Sequence, residues 1–285
     1  MLFDFIGKRK LWYLLSLLII VPGIISFFVQ GLNLGIDFTG GNLMQVKFEK
    51  DVSVEQIRDS LGQFDLSQSP VQPAEDNQFI IRTKVLTEDE NAKVIEAFQD
   101  GLGNLEVLRN EKVGAVIGQE LTRNAVLALV IASVLMVIYI TIRFEFWFAI
   151  AAILALLHDV FVTMGIFSIF QFPVDSAFVA AILTIIGYSI NDTIVIFDRI
   201  RENLRIKKKE ELPRVVNLSI SQTLARSINT SLVVIMVLVS LLLFGGETTK
   251  GFSLALLIGS VSGTYSSIFT ASPLWIDFHR TLAKK

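Results

Sequence analysis

Six long apolar stretches constrain the fold of this chain more than any other feature of its sequence. A helix needs about 20 apolar residues to cross about 30 Å of hydrocarbon. The mean hydropathy is +0.60, and only 18% of the 285 residues are charged, which excludes a soluble domain of ordinary composition. The sequence therefore predicts an α-helical polytopic membrane protein with six transmembrane helices, at roughly residues 11–29, 124–142, 146–169, 177–197, 223–244 and 251–275.

Basic residues are distributed unevenly among the segments that flank these stretches. Because six is an even number, both termini lie on one side, and segments rich in lysine and arginine stay in the cytoplasm. We therefore predict a multi-pass protein of the cell inner (plasma) membrane with both termini cytoplasmic. The basic residues that support this orientation are Lys8, Arg9, Lys10, Arg143, Arg199, Arg201, Arg205, Lys207, Lys208, Lys209, Arg214, Arg280, Lys284 and Lys285.

The domain organisation follows from the same pattern. The first span has a basic flank like that of a cleaved signal peptide, but its apolar run is too long and lacks a small-x-small cleavage site before Gly31. We expect it to remain as an anchor helix with a kink at Pro22. The predicted parts are a cytoplasmic N-terminus and first helix (1–30), an exported domain (31–122), helices 2 to 6 with a cytoplasmic loop at 199–217 (123–275), and a cytoplasmic tail (276–285).

The polar segment 31–122 alternates between strand and helix patterns. The order strand, helix, strand, strand, helix, strand is typical of a small α+β ferredoxin-like domain. No carboxylate–histidine or metal constellation is present in it, which favours a binding module over an enzyme. The predicted elements are a strand near 43–49, a helix capped by Ser53, a weak strand within 67–77, a strand at 79–84, a helix capped by Thr87 with Glu90 at the capping-box position, and a strand from Leu105.

The composition excludes several kinds of chemistry. The chain has no cysteine, which removes thiolate catalysis and cysteine-ligated metals. Its two histidines, His158 and His279, are too far apart in sequence to predict a metal cluster, and His158 is interpreted as a helix-packing residue. We predict no catalytic residue, no metal, no cofactor and no nucleic-acid partner.

Asp159, Asp192 and Arg226 lie inside predicted spans, where ionisable residues are costly and therefore indicate function. Asp192 and Arg226 lie about 9 and 10 Å from the cytoplasmic end of their helices, so they can meet as an ion pair. Protonation of Asp192 would release Arg226 and give a two-state element. The alternatives are a static salt bridge, or an Arg226 that reaches the interface. Asp159, about 18 Å deep, is either part of this element or a helix-packing residue.

Small and polar residues repeat at helical spacing in the last three spans. They predict a shared polar, tightly packed interior, because such residues allow close approach of membrane helices. The residues are Thr184, Gly187, Tyr188, Asn191 and Asp192 in the fourth span, Thr223, Arg226, Ser227 and Thr230 in the fifth, and Gly259, Ser260, Gly263, Ser267 and Thr270 in the sixth.

Several long motifs resemble those of the SecD/SecF family of the resistance–nodulation–division superfamily, and within it the SecF branch. The resemblance covers essentially the whole chain. One departure is Ala225, where the family pattern has an asparagine immediately before Arg226. The motifs are Gly35-Ile36-Asp37-Phe38-Thr39-Gly40-Gly41, the run from Gly187 through Asn191 and Asp192 to Asn203, Ser227 to Ser231, and Gly263 to Phe269.

This resemblance implies a heterodimer with SecD, a six-span paralogue, beside the SecYEG translocon in the lipid bilayer. It implies that the proton gradient drives completion of the export of unfolded preproteins. Asp192 would be the proton-responsive carboxylate and Arg226 its cationic partner.

Two other classes of protein are alternatives to this expectation. An intramembrane aspartyl protease needs two buried aspartates, but Gly187 lies five positions before Asp192, so the Gly-x-Gly-Asp motif is missing. A proton-driven small-molecule or lipid exporter of the same superfamily is the stronger alternative. Such chains usually carry both halves and large exported domains in one polypeptide.

Overall fold

The computed structural model describes residues 3–74, 76–207 and 209–282 and divides into two compact units. One consists of Met1–Asn33 and Leu127–Lys285, and the other is Leu34–Val126. The second unit begins and ends three or four residues later than the domain predicted at 31–122. Lys208, Lys284 and Lys285, which contributed to the predicted orientation, lie outside the described residues, as does the side chain of Arg280.

Six helices in the described residues are long and apolar enough to cross a membrane, which confirms the predicted number. The last one is divided by a five-residue π-helical segment, Ser267–Ala271. The helices that contribute to the spans are α1 (Arg9–Gln30), α5 (Ala115–Arg143), α6 (Phe146–Phe170), α7 (Ser176–Ile206), α8 (Leu212–Phe244), α9 (Glu247–Ser266) and α10 (Ser272–Leu282), with α2 to α4 lying in the second unit.

The cytoplasmic loop predicted at 199–217 is mostly helical, which corrects that prediction. Helix α7 continues to Ile206 and α8 already begins at Leu212. The extensions pack on each other, because Ile200 and Val215 are fully buried and the Asn203 amide donates to the Ser219 hydroxyl at 2.8 Å. Hydropathy marks only the part of a helix that lies in hydrocarbon, so it missed these polar continuations.

The two ends of the chain meet at one end of the helical unit. Arg9, at the start of α1, forms an ion pair at 2.9 Å with Asp277 of α10. Asp4 accepts a hydrogen bond at 2.8 Å from Asn217, near the start of α8. The backbone N–H of Gly7 and the Asn217 amide lower the pKa of Asp4, so its carboxylate is a stable anchor at neutral pH. Both described ends of the chain therefore lie on the same side of the helical unit, as the even number of spans predicts.

Helices α1 and α6 approach each other at two glycines. A Cβ atom on Gly23 would lie 2.7 Å from the Cα of Gly165, so neither position has room for a side chain. Helix α1 runs without interruption through Pro22. The kink expected there stays a prediction.

The second unit is built around a four-stranded sheet with two longer helices and one short helix. All its strand pairs are antiparallel, and the order across the sheet is β3, β4, β2, β5. The elements of this unit are α2 (Ile36–Thr39), β2 (Gly41–Phe48), α3 (Val54–Gly62), β3 (Val71–Ala74), β4 (Gln78–Thr83), α4 (Glu88–Leu102) and β5 (Leu105–Val113), while the two-residue strands β1 (Asn33–Leu34) and β6 (Pro173–Val174) lie elsewhere. Every strand and helix predicted for this segment is present, including the weak strand within 67–77.

The helices of this unit cover one face of its sheet. Met44, Val46 and Phe48 alternate along β2 and are buried against Ile57 of α3 and Phe98 of α4. Such alternation is expected for a sheet that faces a core on one side. Burial of these apolar side chains provides the main stabilisation of the unit.

The two longer helices of this unit, α3 and α4, begin with a capping box, which confirms their predicted starts. Ser53 exchanges hydrogen bonds with Gln56, and Thr87 with Glu90. The Thr87 backbone N–H, and then its hydroxyl, lower the pKa of Glu90. At neutral pH Glu90 is therefore ionised and satisfies the free N–H group at the helix start.

The glycine motif before β2 is a steric requirement of the sheet. Gly40 and Gly41 have backbone φ angles of +71° and +134°, which residues other than glycine rarely adopt. A Cβ on Gly41 would overlap the carbonyl oxygen of Thr83 on β4. Gly35 lies at the start of α2, and Asp37 is in its first turn. The motif thus turns the chain sharply into the central strand of the sheet.

Candidate functional site

The three ionisable residues predicted to be functional lie on three neighbouring helices: Asp159 on α6, Asp192 on α7 and Arg226 on α8. Both carboxylates are buried, whereas Arg226 is exposed on the surface of this chain. The two carboxylates differ strongly in their hydrogen bonding.

Asp192 faces a group of hydroxyls contributed by three helices. The Ser231 hydroxyl of α8 donates to its carboxylate at 3.4 Å, which is long for a hydrogen bond to a charged group. Ser231 in turn accepts from Tyr188 of α7 at 3.3 Å and from Thr264 of α9 at 2.6 Å. The Asp192 carboxylate is therefore buried, and the hydrogen bond that it accepts from Ser231 is a weak one.

The prediction that Asp192 and Arg226 form an ion pair is wrong for this structure. Among the described residues, the salt bridges within 4.0 Å do not include this pair. On helix α8, Ser227 and Ser231 face the interior of the helical unit, and both are buried. Arg226 precedes Ser227 by one position, about 100° around the helix, which carries it to the outer side.

A polar strip is exposed at membrane depth on the outside of α7 and α8. The prediction of a polar interior shared by the last three spans was therefore only partly correct: Asp192 and Ser227 are buried, but several residues of the predicted polar faces are exposed. A methyl group on Gly187 would meet no described atom within 4 Å, so this glycine is not needed for packing inside the chain. The exposed residues of this strip are Thr184, Gly187 and Asn191 on α7 and Arg226, Asn229 and Thr230 on α8.

The small residues of the last span pack closely on α7, as predicted. A Cβ on Gly263 would lie 3.0 Å from the Cβ of Ser189, and one on Gly259 would overlap Ile185. Ser267 shares a hydrogen bond with Thr193 at 2.8 Å. These glycines allow the close contact that brings α9 hydroxyls toward α6 and α7.

Asp159 lies at the centre of a cluster that the sequence interpretation missed. Its side chain is fully buried, accepts hydrogen bonds from three serine hydroxyls and lies 3.0 Å from Nδ1 of the His158 ring. The donors are Ser189 at 2.6 Å, Ser262 at 2.7 Å and Ser266 at 2.7 Å. A sequence signal existed, because Ser262 and Ser266 are four residues apart and share one helix face with each other. The predicted small-residue stripe contains Gly259 and Gly263 but neither of these serines.

No metal site accompanies these residues: groups of three or more His, Cys, Asp and Glu side chains placed to hold an ion were not found within 3–74, 76–207 and 209–282. What the arrangement can do is bind and release protons at depth. One carboxylate is weakly held, one is strongly held, and a histidine lies beside the second.

Comparisons with known proteins identify the family of the chain. Residues 93–281 match the family described as "Protein export membrane protein SecD/SecF, C-terminal", and residues 25–52 match the "SecD/SecF GG Motif". The second match contains Gly35, Asp37, Gly40 and Gly41.

Relatives of similar length cover almost the whole chain. "Protein translocase subunit SecF" of Sebaldella termitidis is 47% identical, over 93% of this chain and 88% of that protein. The SecF subunit of Acidaminococcus fermentans is 43% identical over 99% of both.

Longer relatives match this chain over part of their length. "Protein translocase subunit SecDF" of Bacillus subtilis is 43% identical, over 99% of this chain and 39% of that protein. The crystal structure of SecDF from Thermus thermophilus, a translocon-associated membrane protein, superimposes with a TM-score of 0.91 and 34% identity, over 98% of this chain and 39% of that one. With a family match over more than half of its residues and relatives above 40% identity along its length, the chain belongs to the SecD/SecF family of protein-export membrane proteins.

Proposed function

We propose that this chain is the SecF-type half of a SecD–SecF unit that couples the proton gradient to completion of preprotein export through SecYEG. The observation that carries the proposal is the exposed polar strip with Arg226 beside the buried Asp192. Lipid cannot satisfy an arginine and an asparagine at this depth, so another protein must cover them. The longer SecDF relatives carry a second part in the same polypeptide, which supports a SecD-type paralogue as that protein.

Proton coupling is assigned to Asp192, Arg226 and Asp159. Asp192 takes up the proton, because its carboxylate is buried and the hydrogen bond that it accepts from Ser231 is long. We assign Arg226, which is exposed, to the surface that the partner covers, where it pairs with a carboxylate of the partner according to the state of Asp192. Asp159 belongs to the same polar interior through Ser189 of α7.

The second unit is assigned as an exported ferredoxin-like domain that binds or pushes unfolded polypeptide without a covalent step. The order of its elements and its antiparallel strand order β3, β4, β2, β5 support this topology. It lies between α1 and α5 in sequence, so we assign it to the membrane face opposite the basic segments, which are assigned to the cytoplasm.

The orientation predicts which residues a membrane-impermeant maleimide reaches. The chain has no cysteine, so single substitutions provide unique labels. In intact spheroplasts we expect Lys93→Cys, on the exposed side of α4, to be labelled and Glu211→Cys, between α7 and α8, to be labelled only after the membrane is opened. The cysteine-free protein controls for background. Labelling of Glu211→Cys but not Lys93→Cys in closed spheroplasts would reverse the orientation.

The function itself is tested by preprotein export into vesicles that contain SecYEG and a SecD-type partner. We expect a proton gradient to increase the amount of protease-protected preprotein when this chain is present, and to have no such effect when it is left out. Equal export with and without the chain, despite its copurification with the partner, would show that it does not couple the gradient to export.

A further inference from the structure

His158 and Asp159 lie halfway along α6. This helix has 25 residues, so His158 is twelve residues from Phe146 and twelve from Phe170, about 18 Å from either end. The Asp159 side chain is completely buried and that of His158 is 7% exposed. A pair of titratable side chains at this depth is costly to maintain. The hydrogen bonds around the pair show how the fold accommodates it.

The Asp159 cluster is built for an ionised carboxylate. Oδ1 accepts from Ser262 and faces His158 Nδ1 at 3.0 Å, while Oδ2 accepts from Ser189 and Ser266. An ionised carboxylate has about four acceptor positions, and all four are used here. The hydroxyl distances of 2.6–2.7 Å are those of hydrogen bonds to a charged oxygen. These contacts suit an ionised Asp159 whose Oδ1 accepts a hydrogen bond from His158 Nδ1.

The other ring nitrogen, Nε2, faces a chain of hydroxyls that leads to α1. Nε2 lies 3.0 Å from the Ser16 hydroxyl, which lies 3.4 Å from the Tyr265 hydroxyl. Tyr265 uses its hydrogen to donate to the Trp12 carbonyl at 2.8 Å, so it offers Ser16 a lone pair. Each hydroxyl has one hydrogen to give, and the direction of the chain therefore depends on whether Nε2 carries one.

With a hydrogen on Nε2, every member of this chain is satisfied: His158 donates to Ser16, Ser16 to Tyr265, and Tyr265 to Trp12. Without a hydrogen on Nε2, the Ser16 hydroxyl must donate its hydrogen to Nε2. No hydrogen then lies between Ser16 and Tyr265. A proton on Nε2 also makes the buried pair neutral as a whole, which removes an uncompensated charge from the hydrocarbon depth.

Neighbouring helices present few other titratable groups to His158. Besides Asp159, the described contacts of His158 include the Tyr265 ring of α9, stacked at 5.8 Å between centroids. Helix α1 presents Ser16 to His158, and α7 presents Ser189 to Asp159. Asp192, three residues after Ser189, is bonded instead to Ser231 of α8.

We propose that His158 is a second proton-binding site of the membrane helices, at which an imidazolium pairs with a permanently ionised Asp159 and switches the Ser16–Tyr265 hydrogen bond between α1 and α9. The proposal rests on the proposed function only for its use in export, where His158 would be a further site at which the proton gradient acts on this chain. It changes the role of Asp159 from a proton carrier to the counter-ion of His158.

A direct test measures the protonation of His158 without measuring export. The chain has two histidines, so His279→Gln leaves His158 as the single label for ¹⁵N-histidine NMR of the complex with its partner in lipid nanodiscs. His279 stacks on Trp275 and has no place in the cluster. As the pH is raised from acid to alkaline, we expect the Nε2 signal to change from imidazolium to neutral, while Nδ1 keeps its hydrogen throughout. An Nε2 signal that is neutral over the whole range, or imidazolium over the whole range, would overturn the proposal.

A second measurement tests the use of the site. His158→Gln keeps a donor for Asp159 and an acceptor for Ser16 but cannot bind a proton. We expect this variant to lose the gradient-dependent part of export while copurifying with its partner, and His279→Gln to retain it. Full stimulation in His158→Gln would show that the site plays no part in coupling. If the unsubstituted chain shows no stimulation, the proposed function fails, while the NMR titration still decides the proton site.

Discussion

Asp192→Asn is expected to reduce preprotein export in the presence of a proton gradient to the level measured without one. Asparagine has nearly the shape of aspartate and still accepts the hydrogen bond from Ser231, so folding and partner assembly should be unchanged. It cannot exchange a proton, and it holds the site permanently in a neutral state. The measurement is protease-protected preprotein in vesicles with and without a gradient, together with copurification of the partner.

Asp175→Asn is the matched control on the same helix. Asp175 caps α7 by accepting a hydrogen bond from the Phe178 N–H at 2.9 Å, and asparagine is an equally good cap. This variant should retain full stimulation. Gradient-stimulated export by Asp192→Asn at the level of Asp175→Asn would reduce Asp192 to a structural residue.

Variants of Arg226 extend the same experiment to the partner surface. Arg226→Ala should lose the stimulation, because the strip then has no charge to pair. Arg226→Lys should retain part of it, since a point charge keeps the attraction but loses the planar fork. Arg226 is exposed and forms no described salt bridge to Asp192, so we expect little loss of stability from either change.

Gly41→Ala is expected to destabilise the sheet-containing unit by about 2–4 kcal/mol, a large part of the stability of a domain of this size. The added methyl group would overlap the Thr83 carbonyl, and alanine would have to adopt a φ of +134°. Both costs fall on the central strand β2, which pairs with β4 and β5. Amide hydrogen exchange of the full-length protein measures the effect, as roughly 30-fold or more faster exchange in β2 and β4.

Gly62→Ala provides the control for this substitution. Gly62 ends helix α3 with no atom within 4 Å of an added Cβ and a helical backbone. Alanine should therefore leave the unit unchanged or stabilise it by up to about 1 kcal/mol. Exchange rates in β2 that are the same for Gly41→Ala and Gly62→Ala would mean that the motif has no steric role in the sheet.

Much of the architecture could be predicted from local sequence. Hydropathy predicts the six spans, because the cost of burying polar groups in lipid is decided within each segment. Period-two alternation predicts β2, and the capping residues Ser53 and Thr87 predict the starts of α3 and α4 to the residue. The polar extensions of α7 and α8 were missed because their stabilising contacts, such as that of Asn203 with Ser219, come from packing outside the hydrocarbon.

The sequence by itself determined the number of spans, the elements of the sheet-containing unit and the presence of three ionisable residues at membrane depth. Only the tertiary structure decided what these residues meet. Helical periodicity shows that Arg226 and Ser227 lie on different sides of α8, but packing of the neighbouring helices decides which side is covered. Likewise, the serines that hold Asp159 are separated from it in sequence by 30, 103 and 107 residues. Contacts over such separations depend on how the helices pack, and no local pattern within α6 contains that information.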